Sequence, residues 1–118
     1  MKDLTITDIL GIDEQTVVEH PIKEWNGIVY LKVMGADERS ELEDLFMKIR
    51  GQNKGSGLFR KELLKRVLCD RKGENLLPDD AHATQFMKKN SLVIEQIFEH
   101  ACELNGFREK DVDTLKKK

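Results

Sequence analysis

The chain has 118 residues, enough for one domain with one core and too few for two. Charged residues make up 36% of it, against about a quarter in an average domain, but the apolar residues fall in periodic clusters, which argues for a folded chain. No apolar run approaches the roughly 18 residues of a membrane span, and the opening stretch MKDLTITDIL lacks an apolar signal core, so a soluble cytoplasmic protein with no membrane contact is expected.

Residues 3–10 read as a short helix, with Asp3 as its cap, Ile6, Ile9 and Leu10 as its apolar side and Gly11 as its stop. Two strand-like runs follow, Thr16-Val17-Val18 and the longer Gly27 to Val33, rich in β-branched and aromatic residues. Pro21 and Trp25-Asn26-Gly27 between them suit a loop and turn, so a β-hairpin is expected. A lone hairpin is marginal and must lie against the helices. Trp25 and Tyr30 are the expected structural anchors, largely buried where hairpin and helices meet.

Residues 37–50 give the clearest helix, with Leu42, Leu45, Phe46 and Ile49 on one face and Gly51 as the stop. Its acidic first turns and basic end suit the helix dipole. The run GQNKGSG, residues 51–57, reads as a flexible loop. Residues 58–70 make a second amphipathic helix through Phe59, Leu63, Leu64, Val67 and Leu68, with Arg60 intruding near its start where it would still reach water. A turn around Gly73 leads to a helix start at Pro78-Asp79-Asp80, with Phe86 and Met87 as that helix's main apolar contacts. The most apolar helix spans 91–105 through Ile94, Ile97, Phe98, Ala101 and Leu104. Asn105-Gly106 stops it, and Phe107 is placed to fold back on its last turn. A short final helix ends in Leu115 and a tail at 116–118. The expected architecture is α+β and mainly α: one domain over residues 1–118, with four or five helices and a small β-hairpin near the N-terminus.

Charge is unevenly placed. Residues 1–47 hold 4 basic and 11 acidic side chains, residues 48–72 hold 9 and 2, and residues 73–118 hold 7 and 9, giving net charges of -7, +7 and -2. The basic block 48–72 either complements the acidic elements of the same chain or offers a patch to an acidic partner, nucleic acid included. The overall net charge of -2 disfavours nucleic acid.

No pattern for chemistry emerges. His20, His82 and His100 are scattered and form no HExxH. His100 and Cys102 stand two apart, so on a helix they diverge and cannot share a metal. Cys69 and Cys102 belong to no CxxC pair and read as reduced, packed thiols. No nucleophile elbow or phosphate loop is present. No catalytic, cofactor-binding or metal-ligating residue is assigned, and no enzymatic activity is expected.

Three blocks together resemble the long-tailed phage (siphophage and prophage) tail assembly chaperone family. They are Pro21-Ile22-Lys23-Glu24-Trp25-Asn26-Gly27-Ile28-Val29-Tyr30 followed by Gly35-Ala36-Asp37-Glu38-Arg39, then Gly73 to Asp80, and last Ile97-Phe98 through Leu104-Asn105-Gly106-Phe107 to Glu109-Lys110-Asp111-Val112. Arg108 and Pro78 depart from the family pattern. The resemblance implies a non-enzymatic chaperone made in the bacterial host cytoplasm and absent from the mature virion. It would bind the tape measure protein, help recruit tail tube protein subunits, and self-associate weakly. It also implies a longer frameshifted form, and consecutive lysine codons such as those of Lys116-Lys117-Lys118 can form an adenine run on which ribosomes slip. A groove for a helical partner would be offered by the helices at 37–50, through Phe46 and Ile49, and at 58–70, through Phe59 and Leu63, with the 51–57 loop letting the pair open; the equal alternative is that both stripes pack on the 91–105 helix and leave no groove. The alternatives are a nucleic-acid-binding regulator using 48–72 and a small phage structural or connector protein.

Overall fold

The computed structural model describes residues 1–14, 16–52 and 56–107, leaving the side chains of 49–52 and 56 aside. Its elements run α1 (Ile6–Leu10), β1 (Val17–Ile22), β2 (Gly27–Lys32), α2 (Ala36–Gln52), α3 (Ser56–Val67), β3 (Leu68–Cys69), α4 (Asp80–Phe86) and α5 (Ser91–Leu104). The fold is α+β and mainly α, as expected, with the hairpin in place. The last expected helix and the 116–118 tail lie outside the described residues.

The hairpin pairs Val17 with Lys32 through to Ile22 with Gly27. Val33 N–H donates to the Thr16 carbonyl at 2.7 Å. Alternation from that bonded pair leaves Pro21 at a non-hydrogen-bonded position of an edge strand, where its missing N–H costs the ladder nothing. Pro21 therefore belongs to β1 and not to the loop. The connection is a 3-10 turn, Lys23–Trp25, closed by Asn26 in the left-handed region at φ 52, which an asparagine tolerates.

The sheet has a third strand that periodicity hid. The helix expected over 58–70 ends at Val67, and Leu68 and Cys69 pair antiparallel with Leu31 and Tyr30. Asp70 then folds the chain back. Its carboxylate accepts the N–H groups of Lys72 and Glu74 at 2.9 and 3.0 Å, and Gly73 takes φ +87, so a glycine fits there. Leu68 completes both the apolar stripe of the helix and the inner face of the sheet, which is why the helical pattern runs on through it.

Three further expectations change. The cap of α1 is Thr5, whose side chain accepts Asp8 N–H while the Asp8 carboxylate accepts Thr5 N–H. This reciprocal box outcompetes Asp3 because the first periodic apolar residue is Ile6. Gly51 does not stop α2: residues 51 and 52 are helical, α3 starts at Ser56, and only 53–55 of the expected 51–57 loop lie outside the described residues. Trp25 is 38% exposed. It stands on the turn beyond the hairpin, touching Phe86 edge-on at 6.0 Å between ring centroids, while Ile22 and Leu31 take the buried positions. Tyr30 is half-buried on the face opposite Leu31, where Arg71 covers its ring and donates Nε–H to its hydroxyl at 3.0 Å.

The core centres on Phe59, whose ring meets those of Phe46, Phe98 and Phe107 edge-to-face at 5.4, 5.9 and 5.5 Å. Around it close Leu31 of β2, Leu42 of α2, Leu63 and Val67 of α3, and Ile97 and Ala101 of α5, all fully buried. Helix α3 thus forms the spine, touched by α2, α4, α5 and β2.

Candidate partner-binding surfaces

Of the four residues expected to contact a partner, Phe59 and Leu63 are 0% exposed, so both are core residues. The apolar stripe of α3 is consumed by α5 and the sheet before any partner arrives. Phe46 is half-buried against Phe59. The side chain of Ile49 lies outside the described residues.

A groove nevertheless runs between α2 and α3, lined by residues other than the four expected. It has a volume of about 450 Å³ and is bordered by Asp44, Leu45 and Lys48 from α2 and by Leu58, Glu62 and Arg66 from α3, with Glu41 at one end. Leu45 and Leu58 are half-buried and pack on the core, while Glu41, Asp44 and Lys48 stand in solvent. Three acidic and two basic groups surround two aliphatic side chains. Leu45 belongs to the expected helical face, but Leu58, at the start of α3, gave no sign in the sequence that it would face a groove.

A second apolar surface lies at the N-terminal end. Leu4, Ile6, Ile9, Leu10 and Ile12 are all exposed, and no residue of α1 is buried. Capping at both ends sets this turn of helix in place: Thr5 and Asp8 close the start, and the Gly11 N–H reaches the carbonyls of the last turn. Backbone ordering that a partner would otherwise impose on it is already in place.

Four of the nine basic residues of the 48–72 block have carboxylate partners among the described residues of the chain. Arg60 bonds Glu95 at 3.0 Å and lies 5.0 Å over the Phe98 ring, with its side chain still 20% exposed, so it reaches water as expected. Lys61 and Lys65 share Asp80 at 3.0 and 3.6 Å, and Arg66 holds Glu62 at 2.9 Å. Both lysines hold the Asp80 carboxyl below its ordinary range, chiefly through the Lys61 hydrogen bond and charge.

Two of the sequence blocks singled out above meet in space. The Arg39 guanidinium donates to the Asn105 carbonyl, 66 residues away in sequence, reaches the Gly106 carbonyl at 3.5 Å, and lies 4.3 Å over the Phe107 ring. Asn105-Gly106-Phe107 is a Schellman ending: Phe107 N–H donates to the Cys102 carbonyl at 2.9 Å and Gly106 N–H to that of Glu103 at 3.3 Å, with Gly106 at φ +72. These residues serve the architecture, since each contact is internal.

Neither cysteine is in a disulfide, and both are buried. Burial pushes the Cys69 thiol up from its ordinary value. Among the described residues no group of three or more His, Cys, Asp or Glu side chains converges to hold a metal ion, and no helix is long and apolar enough to cross a membrane. Comparison with protein-family models, with curated proteins and with solved structures finds no match.

Proposed function

We propose that this chain is a phage tail assembly chaperone that binds the long helical tape measure protein and helps recruit tail tube subunits around it. The resemblance of its sequence blocks to that family names the partners. The observation that carries the binding mode is the groove between α2 and α3, with Leu45 and Leu58 flanked by Glu41, Asp44, Lys48, Glu62 and Arg66. An amphipathic helix lays an apolar stripe into such a groove and meets charges of both signs at its rim. Before tube assembly, a tape measure protein would expose stripes of this kind and aggregate through them. The exposed aliphatic residues of the α1 segment supply a second apolar surface for a tube subunit. The nucleic-acid reading of residues 48–72 is less well supported, because Arg60, Lys61, Lys65 and Arg66 already have carboxylate partners.

The test is binding of amphipathic segments of the tape measure protein to groove variants. Leu58→Glu places a charge among the groove's aliphatic side chains and is expected to weaken binding roughly tenfold or more. Asp44→Lys changes an exposed rim charge and leaves the core untouched, so it serves where Leu58→Glu fails to fold. Undiminished binding in both folded variants contradicts the groove as the site.

A further inference from the structure

His20 of β1 and His100 of α5, 80 residues apart, bring their Nδ1 atoms to 2.8 Å, with ring centroids at 5.0 Å and the planes tilted by 39°. Strand alternation puts His20 on the same face as the buried Ile22, directed at α5. We propose that this pair is a proton-operated latch, which joins the edge strand β1 to α5 while at most one of the two rings is charged and releases it when both are.

The bookkeeping of protons gives the mechanism. At this separation there is room for a single proton between the two nitrogens. In the neutral pair one ring donates its Nδ1–H and the other accepts it. A first added proton goes to the free Nε2 of the donating ring, leaving the hydrogen bond in place and charge-assisted. A second proton has only the accepting Nδ1 to occupy. It replaces the hydrogen bond with two opposed N–H groups and two like charges at contact distance. The pair therefore titrates in two coupled steps, and only the second breaks the latch.

Among the described residues no carboxylate pairs with either ring to offset that second charge. On β1, Glu19 points to the opposite face. On β2, the residue opposite His20 is Val29, packed against the core. On α5, Gln96 and Leu104 lie one turn to either side of His100, and the charged Glu99 and Glu103 are exposed. Burial first, and then the charge of His100, hold His20 below the ordinary imidazole value of 6.5. Because the folded value is the lower one, the contribution of His20 to stability is complete above 6.5 and is lost as pH falls through the lowered value.

β1 is the edge of the three-stranded sheet. With the latch open it keeps its ladder to β2 but loses its tie to α5. Acidification thus loosens one defined edge of the fold and leaves the Phe59 core intact.

The experiment is an NMR pH titration of the intact chain, following the imidazole Cε1–H signals of His20 and His100 together with amide exchange in β1. The expected result is a His20 titration displaced to acid pH and coupled to His100. Exchange at the β1 amides should rise several-fold along the same curve, with α3 protection unchanged. In His100→Phe, His20 should titrate as a single step, and the acid-dependent opening of β1 should be lost. The latch is overturned if His20 in the wild type titrates as an independent site, or if β1 stays protected after both rings are charged. Both of those readings come from the wild-type chain and need no variant to fold.

Discussion

Asn105 binds the backbone of Met34 from the far end of the chain: its side-chain oxygen accepts the Met34 N–H at 2.7 Å in a buried position. The amide nitrogen of the same side chain donates to the carbonyls of Lys32 at 3.2 Å and Ala101 at 2.9 Å. One buried side chain therefore satisfies three backbone groups where β2 ends, α2 is about to begin and α5 stops. Asn105→Ala strands the Met34 N–H away from water and is expected to cost about 2–3 kcal/mol, the penalty of an unsatisfied buried donor plus its lost partner bonds. Urea denaturation of the variant measures it. Asn105→Asp keeps the acceptor but not the donor, and is expected to lose stability as well.

The two most distinctive aromatic residues should behave in opposite ways. Phe59 touches three other rings and is completely buried, so Phe59→Ala is expected to cost about 3–5 kcal/mol. Trp25 is part exposed and makes an edge contact with Phe86. Trp25→Ala should cost only about 1 kcal/mol, and the native tryptophan emission should lie toward the red. A loss for Trp25→Ala as large as for Phe59→Ala would place the hairpin turn inside the core.

Both thiols should resist modification in the native state. Cys69 and Cys102 are buried, and the raised Cys69 value keeps it in the unreactive thiol form. Cys69 also donates its S–H to the Tyr30 carbonyl at 3.5 Å. A thiol reagent is expected to react slowly in buffer and to label both residues at once in denaturant. Fast labelling of Cys69 alone would mean that β3 opens locally.

The start of α4 carries its own pH dependence. The Asp79 carboxylate accepts the His82 N–H at 2.9 Å and faces the His82 ring nitrogen at 2.7 Å, and the first of these contacts does most to hold Asp79 below its ordinary value of 3.8. A depressed carboxylate contributes fully above that value and loses its contribution as pH falls through the lowered one. The His82 amide signal should move along that acid titration in the wild type and not in Asp79→Asn.

Much of this fold is legible in the sequence, and the parts that are not share a physical cause. The α5 ending could be read because Asn-Gly followed by an apolar residue is a local signal, fixed by the need for a left-handed residue after the last turn. β3 could not, because Leu68 satisfies a helical stripe and a strand at once, and pairing with Leu31 is a tertiary choice. Asn105 was readable as a stop but not as a clamp, since its partners Met34 and Lys32 are remote in sequence. The same holds for the surfaces. The stripe through Phe59 and Leu63 was correctly seen as apolar, but periodicity marks what is apolar and not what remains uncovered. The groove at Leu45 and Leu58 is left over after the core has formed. His20 and His100 carried no motif, and only the docking of β1 on α5 brings them together.

The proposal that this chain keeps a long helical tape measure protein from aggregating is tested most directly by coexpressing the two. The measurement is the fraction of the long protein recovered in the soluble extract, with and without this chain, followed by co-purification. The account expects the long protein to be largely insoluble alone, and to be recovered as a stable complex containing several copies of this chain when the two are made together. Equal solubility in both cases, with no complex surviving purification, would contradict it.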